Sequence, residues 1–355
     1  MTDFPRLAAL ALLPALAVTN PLPPLAAADP LPAFTSRGAS GPDFSVQGEY
    51  TGLVGGQYRI GVQIVALGAG RFEGILFGGG LPGAGWDGKT RFYLRGQREK
   101  HITHLEGMHG ERLKFVNRNF QATIRDGQLE GTAMMFLNRV RDPAVSCRRI
   151  LRTSPTLGAA APPKARVLFA GDSTDEWRGG RLVEKRLLAE GTRSRRSFLN
   201  YRLHLEFRTP FMPTARGMQR GNSGVYLQEL WELQVIDSFG WTTENRKYER
   251  LSHVGRCGGL HELLSPEVHM CLPPLSWQTY DIDHTAATVD SNGRPATPAL
   301  LSVRHNGVLI HDRVVLPPTP ASSRDLPHRN HLPGRLHLQQ HGNPVRYRNI
   351  WIVER

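Results

Sequence analysis

The chain has 355 residues and a formal net charge of +13, with a pI near 10.2. That length exceeds the usual single domain and leaves each of two halves enough residues for a core. The basic excess is scattered through every segment, and the short runs Arg148-Arg149 and Arg193-Ser194-Arg195-Arg196 belong to no basic helix or nucleic-acid-binding motif. Nucleic acid is therefore set aside as a partner in favour of a solvated basic surface.

Residues 1–28 read as an export signal: Arg6, an apolar run from Leu7 to Val18 broken by Pro14, and Ala26-Ala27-Ala28 before Asp29. The run is too short to span a membrane, and nothing after it approaches the ~20 apolar residues a span needs. The expectation is a secreted or periplasmic protein with no transmembrane segment. Cys147, Cys257 and Cys271 are the cysteines. In an oxidising compartment Cys257 and Cys271 could close a small disulfide loop and leave Cys147 over, or all three are buried thiols; the spacing leaves both open.

Residues 29–42 are rich in Pro, Gly and Ala and read as a flexible lead-in. Residues 43–152 predict a small antiparallel β domain of unknown role. Tyr58 to Leu67 alternates, Arg71 to Phe77 follows a Gly turn, Phe92 to Leu94 and Phe120 to Ile124 continue the series, and Asp126-Gly127 is a hairpin signal. His101, His104 and His109 match no metal-ligand spacing and read as a solvated loop or strand edge. Gly78 to Gly88 precedes no helix, so it is expected as a long loop carrying an exposed Trp86 rather than a phosphate cradle. Residues 153–165, with Pro155, Pro162 and Pro163, read as a linker.

Residues 166–355 again predict strands: Tyr201 to Arg208, Gly224 to Gln228, Trp231 to Ile236, Trp277 to His284, Leu300 to His305, Val308 to Val315, Gly334 to Gln340 and Val345 to Val353. Asn306-Gly307 specifies a two-residue hairpin turn. Leu182 to Leu188 alone suggests a helical stripe. The fold class is all-β, and so many short strands close most readily as a two-sheet sandwich or jelly roll.

The chemistry gathers around Gly221-Asn222-Ser223-Gly224-Val225-Tyr226 and the run that follows. Glu232 and Gln234 share one face of a regular strand, whereas Asp237 joins them only through a bulge near Val235 or Ile236. The order Glu-x-Gln-x-x-Asp departs from the Glu-x-Asp-x-x-Glu of laminarinase-type sandwich glycosidases, and a retaining mechanism with carboxylates about 5 Å apart does not fit it. Arg335, His337, Gln339 and His341 project together if the alternation of the last strands holds. Aromatic residues such as Trp231, Trp241, Trp277, Tyr226 and Tyr280, with Asn222, Gln228, Gln234, Gln278, Gln339 and Asn343, suit a carbohydrate site. Gly221-Asn222-Ser223-Gly224 is no nucleophile elbow, and His261-Glu262-Leu263-Leu264-Ser265 lacks the second His of a zinc-protease helix.

Eight ordered stretches resemble the 3-keto-disaccharide hydrolase domain over about residues 167–355. They are Leu168-Phe169 with Asp172 to Trp177, Leu203 to Arg208, Gly221 to Tyr226, Glu232 to Gly240, Cys257-Gly258-Gly259, Trp277 to Asp281, His305 to Val308 and His341 to Trp351. The resemblance implies a concanavalin-like jelly-roll sandwich and cleavage of glycosides whose glucose is oxidised at C3. A 3-keto group acidifies the C2 proton, so one positioned base can expel the aglycone without two matched carboxylates. On this basis Glu232, Asp237 and His341 are the catalytic candidates, and Arg220, Asn222, Gln234, Gln278, Gln339 and Asn343 the substrate-binding ones. The sequence requires no cofactor and leaves a divalent metal open; Gln340 stands where relatives often carry an acidic or amide residue. The competing readings are a non-catalytic carbohydrate-binding sandwich and a protein-interaction domain.

Overall fold

Two turn sequences illustrate how the strands are joined. Asp126-Gly127 and Asn306-Gly307 both sit at positive φ, 47° and 76° in the first pair and 50° and 79° in the second. That geometry matches the right-handed twist of the hairpins they close. The structure is a computed structural model and describes residues 31–108, 120–133, 143–241, 254–318 and 329–355. The export signal at 1–28 and His109 lie outside the described residues.

The first half is a closed barrel of eight antiparallel strands in chain order. These are β1 (Gly48–Val54), β2 (Tyr58–Gly68), β3 (Arg71–Gly78), β4 (Arg91–Glu99), β5 (Ile102–Gly107), β6 (Gln121–Arg125), β7 (Gln128–Thr132) and β8 (Ala144–Ile150). Pairing of β1 with β8 leaves no free sheet edge. Its interior is filled by Tyr50, Ile60, Val62, Ile64, Phe72, Leu76, Leu94, Leu105, Ile124 and Leu129, so the barrel has a packed core rather than a channel. The glycine-rich loop after β3 folds back onto it. Trp86 is half-buried, donates through Nε1 to Thr90 O at 3.1 Å and packs edge-on against Phe77, so it is not the exposed ring expected.

The second half is a sandwich. Its strands are β9 (Arg166–Phe169), β10 (Trp177–Arg178), β11 (Leu182–Val183), β12 (Leu187–Ala189), β13 (Thr192–Phe198), β14 (Tyr201–Arg208), β15 (Ser223–Leu227), β16 (Trp231–Val235), β17 (Gln278–Thr285), β18 (Thr288–Val289), β19 (Pro295–Thr297), β20 (Ala299–His305), β21 (Val308–Leu316), β22 (Gly334–Leu338) and β23 (Arg346–Glu354). One sheet runs β10-β13-β22-β15-β16; the other runs β11-β12-β23-β14-β17-β20-β21, with β9 also on β23. Leu203, Leu205, Val225, Leu233, Val235, Ile282, Val303, Leu336 and Leu338 pack between them, each buried side chain contributing about 1.5–3 kcal/mol of apolar transfer. The helical stripe expected at Leu182 to Leu188 is instead a hairpin of β11 and β12, because Glu184 and Lys185 turn the chain at φ 47° and 71°.

Residues 31–355 form one compact unit, in which the two cores exchange residues. Phe211, from the sandwich half, packs into the barrel core with Phe34 and Phe44, and Val65 and Leu67 of β2 pack into the sandwich core. Phe34, in the lead-in, pairs with Phe211 through two backbone hydrogen bonds of 2.9 Å. The segment that reads as a linker is a strap across the outer face of β14 and β17: Ser154 Oγ lies 2.6 Å from Thr279 Oγ1, Thr156 donates to Asp281 at 2.8 Å and Gly158 N to Glu206 at 2.6 Å. The strap explains why His204 and Glu206 are buried rather than solvated on the polar face of β14. Among the described residues no helix is long and apolar enough to cross a membrane.

Candidate functional site

The outer face of the five-stranded sheet carries the polar cluster. The β15–β16 ladder has unbroken register: Leu227 pairs with Trp231, Tyr226 with Glu232, Gly224 with Gln234 and Ser223 with Val235. Leu233 and Val235 enter the core, so Glu232 and Gln234 point outward with Tyr226 beside the former. On the other side of β15, Tyr226 pairs with His337, and their rings lie 5.2 Å apart. Gln339 N donates to Gly224 O at 2.9 Å. The face thus has two rows across three strands, His337-Tyr226-Glu232 and Gln339-Gly224-Gln234.

Glu232 is the centre of this grid. Tyr226 donates its hydroxyl to Glu232 Oε2 at 2.8 Å, and Gln339 Nε2 donates to the Tyr226 oxygen at 3.3 Å. Gly224 gives the carboxylate its room: a Cβ there would stand 2.2 Å from Glu232 Oε1. Burial pushes the Glu232 carboxyl above its usual range, and the neighbourhood of His261, the Tyr226 hydrogen bond and His341 pull it only part of the way back, while Glu262 pushes it up again. A carboxyl so placed is a proton acceptor of unusual basicity for its type. Burial also holds the His337 ring neutral, lowering it to about 4, with Arg193 adding to the effect.

His261 reaches Glu232 by a route that local pattern does not reveal. The free edge of β16 is covered by the loop at 258–261, in which Gly258 N donates to Gln234 O, Gln234 N to Gly259 O, and His261 N to Glu232 O at 3.0 Å. His341 is exposed and follows the end of β22, so the strand alternation that was to align it stops at Leu338; its ring still lies near enough to act on Glu232 electrostatically.

Other expected residues are placed elsewhere. No bulge redirects Asp237. The strand ends at Val235 and Asp237, fully buried, is ion-paired with Arg220 at 2.6 Å and accepts from Phe239 N at 3.3 Å. Arg220 also donates to Ala66 O and Gln47 Oε1 of the barrel half at 3.2 Å each. Asp237, expected as a catalytic residue, and Arg220, expected to bind substrate, are thus placed together in one buried ion pair, each spending its charge on the other. Gln278, expected to bind substrate, lies fully buried on the other sheet, where its Oε1 accepts from Leu272 N at 2.8 Å and meets His305 Nε2 at 3.0 Å. Asn222 and Asn343 shape the site from beneath. Asn343 Oδ1 accepts from Asn222 N at 2.7 Å, and Asn222 Oδ1 accepts from Gln234 Nε2 at 2.9 Å. Cys147, Cys257 and Cys271 are free, buried thiols rather than a 257–271 disulfide; Cys257 Sγ lies 3.2 Å from Tyr280 OH. Among the described residues no three His, Cys, Asp or Glu side chains gather as a metal-binding group.

Tyr226 was legible only as a stacking candidate. Its pairing with Glu232 follows from a hairpin centred on the Gln228-Glu229-Leu230 turn, a turn without Gly in which Gln228 and Glu229 take φ of 53° and 56°.

The family described as 3-keto-alpha-glucoside-1,2-lyase-like domain matches residues 164–353, a glycoside-acting group. No curated protein matches the chain. A solved structure from Parabacteroides distasonis ATCC 8503, described as a candidate glycosyl hydrolase, is 26% identical and aligns over 62% of this chain and 95% of its own with a TM-score of 0.49. A second from the same organism, described in the same way, is 19% identical over 54% of this chain and 100% of its own, with a TM-score of 0.36.

Proposed function

Because the chain belongs to the 3-keto-alpha-glucoside-1,2-lyase-like family through residues 164–353, we propose that it is an exported enzyme that cleaves 3-keto-glucosides by base-assisted elimination followed by hydration. The observation that carries the reading is Glu232: an outward carboxyl kept basic by burial, cleared by Gly224 and held by Tyr226. In the reaction its free oxygen takes the C2 proton, which the C3 ketone makes acidic. The electrons form the C1–C2 double bond and the C1–O bond to the aglycone breaks. The departing oxygen takes a proton from His341 or His261, the two rings that act electrostatically on Glu232, and the aglycone leaves as an alcohol. Water then adds at C1 while C2 regains a proton, giving the 3-keto sugar. A single positioned base suffices for this sequence, so a second matched carboxylate is not required.

The test is cleavage of methyl 3-keto-α-glucoside in D2O. Elimination and hydration place deuterium at C2 of the product, whereas direct hydrolysis at C1 does not. The Glu232→Gln variant is expected to lose about 10²–10⁴-fold in rate, the usual weight of one general base. Unchanged turnover in that variant, or product without deuterium, would overturn the mechanism.

A further inference from the structure

Two chains of hydrogen bonds cross the face that bears Glu232, and each has a fixed direction. In the first, Met218 O can only accept, so Asn222 donates to it through Nδ2 at 2.9 Å and turns Oδ1 toward its neighbour. Gln234 must then donate through Nε2 at 2.9 Å, which leaves its own Oε1 buried with no donor among the described residues. In the second, the ionised Glu232 can only accept, so Tyr226 spends its proton on Oε2. The Tyr226 oxygen is left to accept from Gln339 Nε2, and Gln339 Oε1 is likewise buried without a donor among the described residues. Neither amide can be flipped without setting oxygen against oxygen.

Both chains therefore end in an orphaned acceptor, and the register sets the two glutamines on either side of one residue. Gln339 and Gln234 flank Gly224 on either side, and the missing side chain of Gly224 leaves a gap between them that Glu232 Oε1 enters. Gln234 is fully buried, and a buried amide oxygen without a donor costs free energy unless something supplies one.

We propose that Gln234 Oε1 and Gln339 Oε1, on either side of Gly224 and next to Glu232, form an acceptor-only notch, which reads the free hydroxyl groups of a sugar ring as hydrogen-bond donors. The proposal rests on the carbohydrate reading above and sharpens it. A ketone oxygen offers lone pairs and no proton, so the notch repels it. The ring hydroxyls at C4 and C6, which chemistry at C1 to C3 leaves untouched, fit it. The notch thereby sets the orientation of the ring: hydroxyl edge toward Gln339 and Gln234, carbonyl oxygen turned away from them, C2 presented to Glu232.

Calorimetric titration with unoxidised methyl α-glucoside and its 4-deoxy, 6-deoxy, 4-fluoro and 6-fluoro derivatives tests this without turnover. Fluorine can accept but not donate, so for at least one of the two positions both the deoxy and the fluoro compound are expected to bind about tenfold more weakly than the parent, the value of one lost hydrogen bond. In Gln339→Met the parent should fall to the affinity of those derivatives and the discrimination should vanish. Fluoro compounds that bind like the parent, full discrimination retained by Gln339→Met, or no binding of any glucoside overturns the notch. Hydroxyl-dependent binding by a wild type that leaves methyl 3-keto-α-glucoside intact supports the notch and removes the cleavage reading instead.

Discussion

Two glutamates of this sandwich begin from the same sequence pattern and end in opposite conditions. His204-x-Glu206 lies on β14 and Glu232-x-Gln234 on β16, each polar pair directed away from the apolar core. Around Glu206 everything is answered. Arg348 donates at 2.6 Å, Gly158 N at 2.6 Å and Asn349 at 2.9 Å, while His204 joins Glu206 to Asp281 and stacks on Trp351. Burial alone would raise this carboxyl, but the hydrogen bonds from His204, Asn349, Gly158 and Arg348 overcome it and bring it down to about 2. Glu232 has one hydrogen-bond donor among the described residues, Tyr226, and burial keeps it high. What separates the lowered carboxyl from the raised one here is the number of donors supplied.

Removing each carboxylate in turn should break the comparison most sharply. Glu206→Gln leaves Arg348 without its anion and His204 with Asp281 alone beneath the strap, and a loss of about 1.5–3 kcal/mol in urea unfolding is expected, the range for a hydrogen bond to a charged group. The rate per folded molecule should not change. Glu232→Gln should do the reverse, losing the rate and keeping or slightly gaining stability. The two sites also pull stability in opposite directions with pH. Glu206 is depressed when folded, so its contribution is complete above the ordinary value of 4.5 and is lost as pH falls toward about 2. Glu232 is raised when folded, so its ionisation costs stability as pH rises from the ordinary value through the folded one. Unfolding curves of the two variants from acid to neutral pH should show the first slope removed by Glu206→Gln and the second by Glu232→Gln. Identical pH profiles would mean that the contrast is not electrostatic.

The strands of both sites were legible in the sequence because alternation at period two is a direct consequence of a sheet with one buried face. Tyr201 to Arg208 is matched residue for residue by β14. Glu232 and Gln234 were likewise legible as neighbours on one face. Legibility failed where a partner arrives from far along the chain. Nothing near Asp237 announces that Arg220 and, through it, Gln47 and Ala66 of the barrel will hold it. Nothing near His204 announces a strap from residues 154–159, because a Pro- and Ala-rich segment looks the same whether it floats or docks. His261 was noted as part of a failed zinc motif, and only the pairing of its loop on the edge of β16 brings it to Glu232.

A smaller intrusion should sharpen the comparison from the side of the open site. Gly224 is not held at positive φ, so Gly224→Ala carries no backbone strain; its effect is steric, the new methyl standing 2.2 Å from Glu232 Oε1. The carboxylate has to turn away, giving up the Tyr226 bond. A misplacement of that order is expected to cost about 10²-fold in rate with a much smaller change in melting temperature. Gly131 offers a control in the barrel half. There a Cβ meets backbone, 2.1 Å from Gln121 O, and alanine should lower the melting temperature rather than act on the carboxylate.

The finest test adds no bulk and removes a single proton donor. Burial and the charge of Glu232 hold the Tyr226 phenol far above its ordinary range, so it stays protonated and always donates to the carboxylate. A donor stabilises the ionised form, and taking it away moves Glu232 further in the direction burial already pushes it. In Tyr226→Phe the acid limb of the pH profile of kcat/KM should therefore shift upward by about one unit, the equivalent of 1.4 kcal/mol for a charge-assisted hydrogen bond. On the alkaline plateau, where Glu232 is ionised in both proteins, the rate should fall by less than about tenfold. If Tyr226 merely fills space beside His337, the phenylalanine ring does the same and the limb stays where it was. If it is a lone donor on an otherwise unanswered carboxylate, the limb moves, and the corresponding change at Glu206, removal of Asn349 from its larger set of donors, moves that carboxyl much less.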